Sequence, residues 1–93
     1  MIRVQAVKGS SEVKVTFALD EATAGGAVSV VGDFNGWSPF SHVMRKRSNG
    51  SRSASITVPA GSEVHFRYLA TQGRWFDDAD ATEHRADGGI LRV

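Results

Sequence analysis

Three groups of side chains in this sequence have the types and spacing to do chemistry. They are a run of carboxylates, a run of basic residues, and two tryptophans in turn-rich segments. Asp77, Asp78, Asp80, Glu83 and His84 crowd one short stretch. Hard cations take clustered carboxylates, but the stretch lacks the spacing of a calcium loop, so it reads as solvated loop with no metal bound. Paired carboxylates hydrolyse glycosidic bonds only when they flank the bond about 5–10 Å apart in a cleft, and nothing here builds a cleft. The serines and His42, His65 and His84 have no nucleophile-elbow or triad context. No catalytic residue is expected. Arg45, Lys46, Arg47 and Arg52, taken with the tryptophans, have the ingredients of a single-strand nucleic-acid groove. Strand alternation splits that patch between two faces, which argues against it.

The stretch Gly32-Asp33-Phe34-Asn35-Gly36-Trp37-Ser38-Pro39 is the hardest to explain as framework. Glycine, Asn, Asp, Ser and Pro make it a turn region directly after an apolar run. Binding residues concentrate on such loops. Trp37 there is either a lid over the fold's edge or an exposed plate. A pyranose ring presents a face of C–H bonds that packs on the negative face of an indole. Trp75 follows the Gln72-Gly73 turn and is placed near a strand end in the same way. Two plates set apart on one surface suit a curved chain of sugars. Arg67 alternates away from Phe66 and Tyr68, and its guanidinium offers several donors to vicinal hydroxyls. None of the histidines is placed at this platform, so binding is expected to be insensitive to pH.

The elements that position these residues read as strands. Glu12 to Leu19 alternates, with Val13, Val15, Phe17 and Leu19 on one face. Ile2 to Val7 precedes it, across a turn at Gly9-Ser10-Ser11. Asp20 to Gly26 reads as loop and Ala27 to Gly32 as a central strand. Met44 to Arg47 and Ser53 to Val58 flank Asn49-Gly50, a strong hairpin signal. Pro59-Ala60-Gly61 turns the chain into Val64 to Ala70, where Val64, Phe66 and Tyr68 share one face and His65, Arg67 and Leu69 the other. Arg74 to Phe76 is a short strand, Asp77 to Gly89 a polar loop, and Ile90 to Val93 a final strand. The pattern predicts an all-β, immunoglobulin-like antiparallel β-sandwich of about seven or eight strands, with a small closed barrel second. One domain over 1–93 fits the length.

The chain carries 11 Lys and Arg against 10 Asp and Glu, a net charge of +1. That balance disfavours a nucleic-acid or anionic-membrane partner and suits a neutral ligand. There are no cysteines, which excludes disulfides and thiolate metal sites and leans cytoplasmic. The start has no apolar signal segment, and no apolar run nears the ~20 residues of a membrane helix. Met1 leading straight into strand-like sequence reads as a complete small protein.

The run Val30-Val31-Gly32-Asp33-Phe34-Asn35-Gly36-Trp37-Ser38 resembles the hallmark of family 48 carbohydrate-binding modules, the glycogen-binding and isoamylase early-set domains. The resemblance continues through Met44-Arg45-Lys46-Arg47, Val58-Pro59-Ala60-Gly61, Val64 to Leu69 and Gly73-Arg74-Trp75 to Ile90-Leu91-Arg92-Val93. It implies an immunoglobulin-like, non-catalytic module that needs no cofactor and binds α-1,4-linked glucan or maltooligosaccharide. Trp37 and Trp75 match that family's sugar-stacking tryptophans. Arg67 falls where glycogen-binding members carry a sugar-contacting lysine. Asn35, shaping the motif's turn, and Arg74, of the Arg-Trp pair, are counted with the site. Two departures stand out. Gly88-Gly89 replaces a sugar-contacting Asn before the last strand, and the Asp77 to Gly89 loop is shorter than in kinase β subunits and lacks their protruding Leu. They motivate an alternative, a domain of the same fold that docks on a glucan-processing enzyme and has lost sugar binding.

Overall fold

The computed structural model describes residues 1–93. Nine strands form two antiparallel sheets. The first sheet runs β1-β2-β5-β4: β1 is Ile2–Ala6, β2 Glu12–Leu19, β4 Arg45–Lys46 and β5 Arg52–Pro59. The second runs β3-β6-β9-β8: β3 is Val28–Gly32, β6 Glu63–Ala70, β8 Glu83–Arg85 and β9 Gly88–Arg92. Strand β7, Arg74–Phe76, pairs with the end of β6 that β9 leaves unpaired. The sandwich reading therefore holds and the closed barrel does not.

Alternation decides which faces meet. Val13, Val15, Phe17 and Leu19 of β2 are buried, as are Val64, Phe66 and Tyr68 of β6. Their faces pack together with Phe17 at the centre, 4.8 Å from the Phe66 ring centroid and 6.3 Å from Tyr68. Aromatic burial of this kind dominates a small core. Pro59 ends β5, and the following turn carries the chain from the first sheet to the second. The segment before β4 bridges the two sheets. Met44 N–H donates to Val28 O and Val43 bridges Ser29 in the second sheet, whereas Arg45 pairs with Ser53 in the first.

Two stretches read as loop contain more. Asp20 to Gly26 holds a one-turn helix, α1, Glu21–Ala24. Asp20 caps it by accepting the Thr23 N–H at 2.7 Å, and hydrogen bonds from Thr23 hold its carboxyl below the usual carboxylate range. Gly25 closes it in the left-handed region. The acidic stretch contains β8, and the last strand begins at Gly88 rather than Ile90. The sequence's strand at Met44 to Arg47 is shorter, because Met44 belongs to the bridging segment.

The acidic stretch is also not uniformly solvated. Asp78 is buried, and its Oδ2 accepts the Tyr68 hydroxyl at 2.6 Å. Its Oδ1 accepts the Asp80 N–H at 2.8 Å. Burial, reinforced by that carboxylate, pushes the Tyr68 phenol above its usual range, so it stays a donor. Tyr68→Phe removes a charge-assisted hydrogen bond and leaves a buried oxygen under-satisfied. An unfolding loss of about 1–3 kcal/mol is expected by urea titration. An unchanged midpoint would show that the pair is not a staple of the fold. No helix is long and apolar enough to cross a membrane.

Candidate functional site

Strand β6 carries the site. Its inward residues build the core, and its outward residues His65 and Arg67 form the floor of an open depression of about 510 Å³. Trp37, Trp75 and Asp87 complete the lining.

Each residue of the Gly32–Trp37 motif has a local reason. A Cβ on Gly32 would sit 2.4 Å from His65 O and 2.6 Å from the Phe34 ring, so only glycine fits where the two strands and Phe34 close up. Asp33 Oδ1 accepts the His65 N–H at 3.3 Å, tying the loop to β6. Phe34 turns inward and stacks 6.4 Å from Phe17. Asn35 spends its whole amide inside the loop. Its Oδ1 accepts the Gly32 N–H at 3.1 Å, and its Nδ2 donates to Val30 O and faces His42 Nδ1, both at 3.0 Å. Gly36 and Trp37 both lie at positive φ, 65° and 60°. A left-handed conformation costs a tryptophan about 1–2 kcal/mol. Residues held in such a conformation cluster at ligand sites. Trp37 N–H donates to Gly32 O at 2.8 Å, which closes the turn, and the indole is left 41% exposed.

Trp75 is set by a three-residue turn, Thr71–Gly73, between the paired Ala70 and Arg74, in which Gln72 and Gly73 lie in the left-handed region at φ of 63° and 69°. The turn places Trp75 opposite Leu69, on the outward face that Arg67 shares, and leaves it 45% exposed. The Arg67 guanidinium carbon lies 6.0 Å from the Trp75 ring centroid, within cation–π reach, and Nε donates to Asp77 Oδ1 at 3.0 Å. Across the floor the His65 ring meets Trp37 edge-on at 4.9 Å.

The structure therefore brings Trp37, Trp75 and Arg67 together. It does not bring Asn35 or Arg74 into the lining. Arg74 Nη2 donates to Ala24 O at 3.1 Å, and its guanidinium lies 4.7 Å over Phe76. Two lining residues were missed. The expectation that no histidine lies at the platform is corrected: His65 is part of the floor. Its place on the Arg67 face of β6 was the available signal. Asp87 had none, because it is brought in by the pairing of β9 with β6. Its main-chain oxygen lies 3.2 Å and its Oδ1 3.3 Å from His65 Nε2. Gly88, next to it, has φ of 141°, and a Cβ there would lie 2.8 Å from Arg67 Cγ and 2.9 Å from Phe66 O. The absence of a side chain at Gly88 thus leaves room for Arg67 on the floor.

Residues 6–82 match the family described as Carbohydrate-binding module 48 (Isoamylase N-terminal domain). The chain belongs to carbohydrate-binding module family 48. The module is 36% identical over 61 residues, 64% of its length, to the 1,4-alpha-glucan branching enzyme GlgB 2 of Xanthomonas campestris pv. campestris. It is also 36% identical over 73 residues, 61% of its length, to the 1,4-alpha-glucan-branching enzyme of Solanum tuberosum. In both cases the module spans only 8% of the relative's length.

Proposed function

We propose that this module holds α-1,4-linked glucan without cleaving it, stacking glucose units on Trp37 and Trp75. The observation that carries this reading is that two half-exposed indoles flank one open depression with a guanidinium between them. Each plate takes the C–H face of a glucose ring. Arg67, anchored through Nε to Asp77, keeps its terminal amines for ring hydroxyls. Asn35 acts by holding the loop that presents Trp37, and Arg74 by bracing the Trp75 strand against α1. The branching-enzyme relatives act on α-1,4-glucan by name, which fits a glucan as ligand here. A cytoplasmic setting, read from the cysteine-free sequence, belongs to the same proposal. Few groups contact the sugar and each gives up hydration, so affinity is expected between roughly micromolar and millimolar.

Tryptophan fluorescence tests this. Titration with a cyclic seven-glucose maltooligosaccharide is expected to give a saturable change, and cellooligosaccharide none. No change with either sugar from folded protein would remove the glucan reading and leave docking on a glucan-processing enzyme. The exposed Phe40 and Val43, outside the depression, are the surface that alternative would use.

A further inference from the structure

The depression is more acidic than the chain that builds it. The whole sequence is nearly neutral, at +1. In and beside the depression, however, three carboxylates stand against one guanidinium, and Asp87 is the one of them that lines it. Asp77 is already paired with Arg67 at 3.0 Å. Asp33 holds the His65 main chain. Asp87 stands at the lip with its side chain 76% exposed and its Oδ1 3.3 Å from His65 Nε2. With Asp77 spent on the Arg67 guanidinium, the Asp87 carboxylate is the exposed charge left at the lip. Arg85, on the strand beside β9, is turned to Glu83 and brings no compensation.

We propose that this rim makes the platform selective for uncharged glucan and turns away glucans that carry anionic groups such as phosphate esters, with Asp87 the determining residue. The inference rests on the glucan reading above. A carboxylate accepts hydrogen bonds from sugar hydroxyls readily. A phosphate ester in the same place brings only acceptors and a charge of about −1.5 to −2. Arg67 offers little attraction to it, because Asp77 already neutralises the guanidinium. Like charges set against each other suppress the wrong partner even where shape permits it. Asp87 dominates because it is the carboxylate among the three that lines the depression without being tied to Arg67.

The test uses two maltoheptaoses, one unmodified and one carrying a phosphate monoester on O6 of one glucose. Both are titrated against wild-type protein and Asp87→Asn at low and high salt. The readout is the ratio of the two affinities within each protein, so a shift common to both ligands does not enter it. Wild type is expected to bind the phosphorylated chain roughly tenfold more weakly at low salt, with the gap narrowing as salt screens the rim. Asp87→Asn is expected to shrink the gap at least threefold. Equal affinities in wild type, or an undiminished gap in Asp87→Asn, would overturn the selectivity while leaving glucan binding in place. If wild type fails to bind the unmodified chain, both the selectivity and the glucan reading fall.

Discussion

Trp37→Ala is expected to abolish retention on glycogen and to weaken maltoheptaose binding at least tenfold, about 1.4 kcal/mol or more. The expectation follows from how the residue is held. Phe34 and Asn35 lock the loop from inside, so the indole contributes little to its own loop's folding. It is 41% exposed and its ring packs edge-on against His65. Removing it therefore takes away apolar contact for the sugar while the sandwich keeps its core. The melting temperature is expected to stay within a few degrees of wild type. Trp75→Ala tests the second plate in the same way. A folded Trp37→Ala protein retained on glycogen like wild type would show that the indole is not a plate.

Gly88→Asn carries the other large expectation, and it runs against intuition. The resemblance to glycogen-binding modules suggests that an amide here would improve binding. The structure says the opposite. A φ of 141° lies beyond the left-handed region that Asn tolerates. Forcing a side chain into that conformation costs about 1–3 kcal/mol. The new Cβ also meets a main-chain oxygen, Phe66 O, at 2.9 Å, which cannot swing aside as a flexible side chain can. Overpacking of this kind adds about 1–3 kcal/mol. Arg67 is displaced from the floor at the same time. A lowered urea midpoint together with weaker glucan binding is expected. A stable variant with tighter binding would show that β9 can re-form around an amide, and that Arg67 does not depend on the glycine.

The strands most clearly legible in the sequence were those whose alternation is enforced by burial. Glu12 to Leu19 and Val64 to Ala70 are clear because one-sided burial writes a period of two into them. Strand β8 is held to β9 by main-chain pairing and its residues, Glu83-His84-Arg85, are all polar. Nothing in such a sequence distinguishes strand from loop. The turn of α1 is too short for periodicity, although its Asp20 and Gly25 caps were there to be read. The two exposed indoles were legible because both tryptophans fall in or beside turn-rich segments. The rim was not. Asp87 and His65 lie 22 positions apart and meet only once β9 is laid beside β6. The burial of Asp78 likewise depends on Tyr68, on a different strand.

Every part of the platform hangs from β6. Arg67 and His65 belong to it, Trp75 is paired to it through β7, and Asp33 ties the Trp37 loop to it. The spacing between the plates is therefore set within one sheet, by a strand paired on both sides. Fraying of the other sheet's edge strand β1 can proceed without altering that spacing, provided β2 keeps Phe17 against Phe34. Amides around the site should accordingly exchange with solvent far more slowly than those of β1. A sugar chain bound as proposed would meet a surface ordered during folding, so the disorder lost on association would be mostly its own.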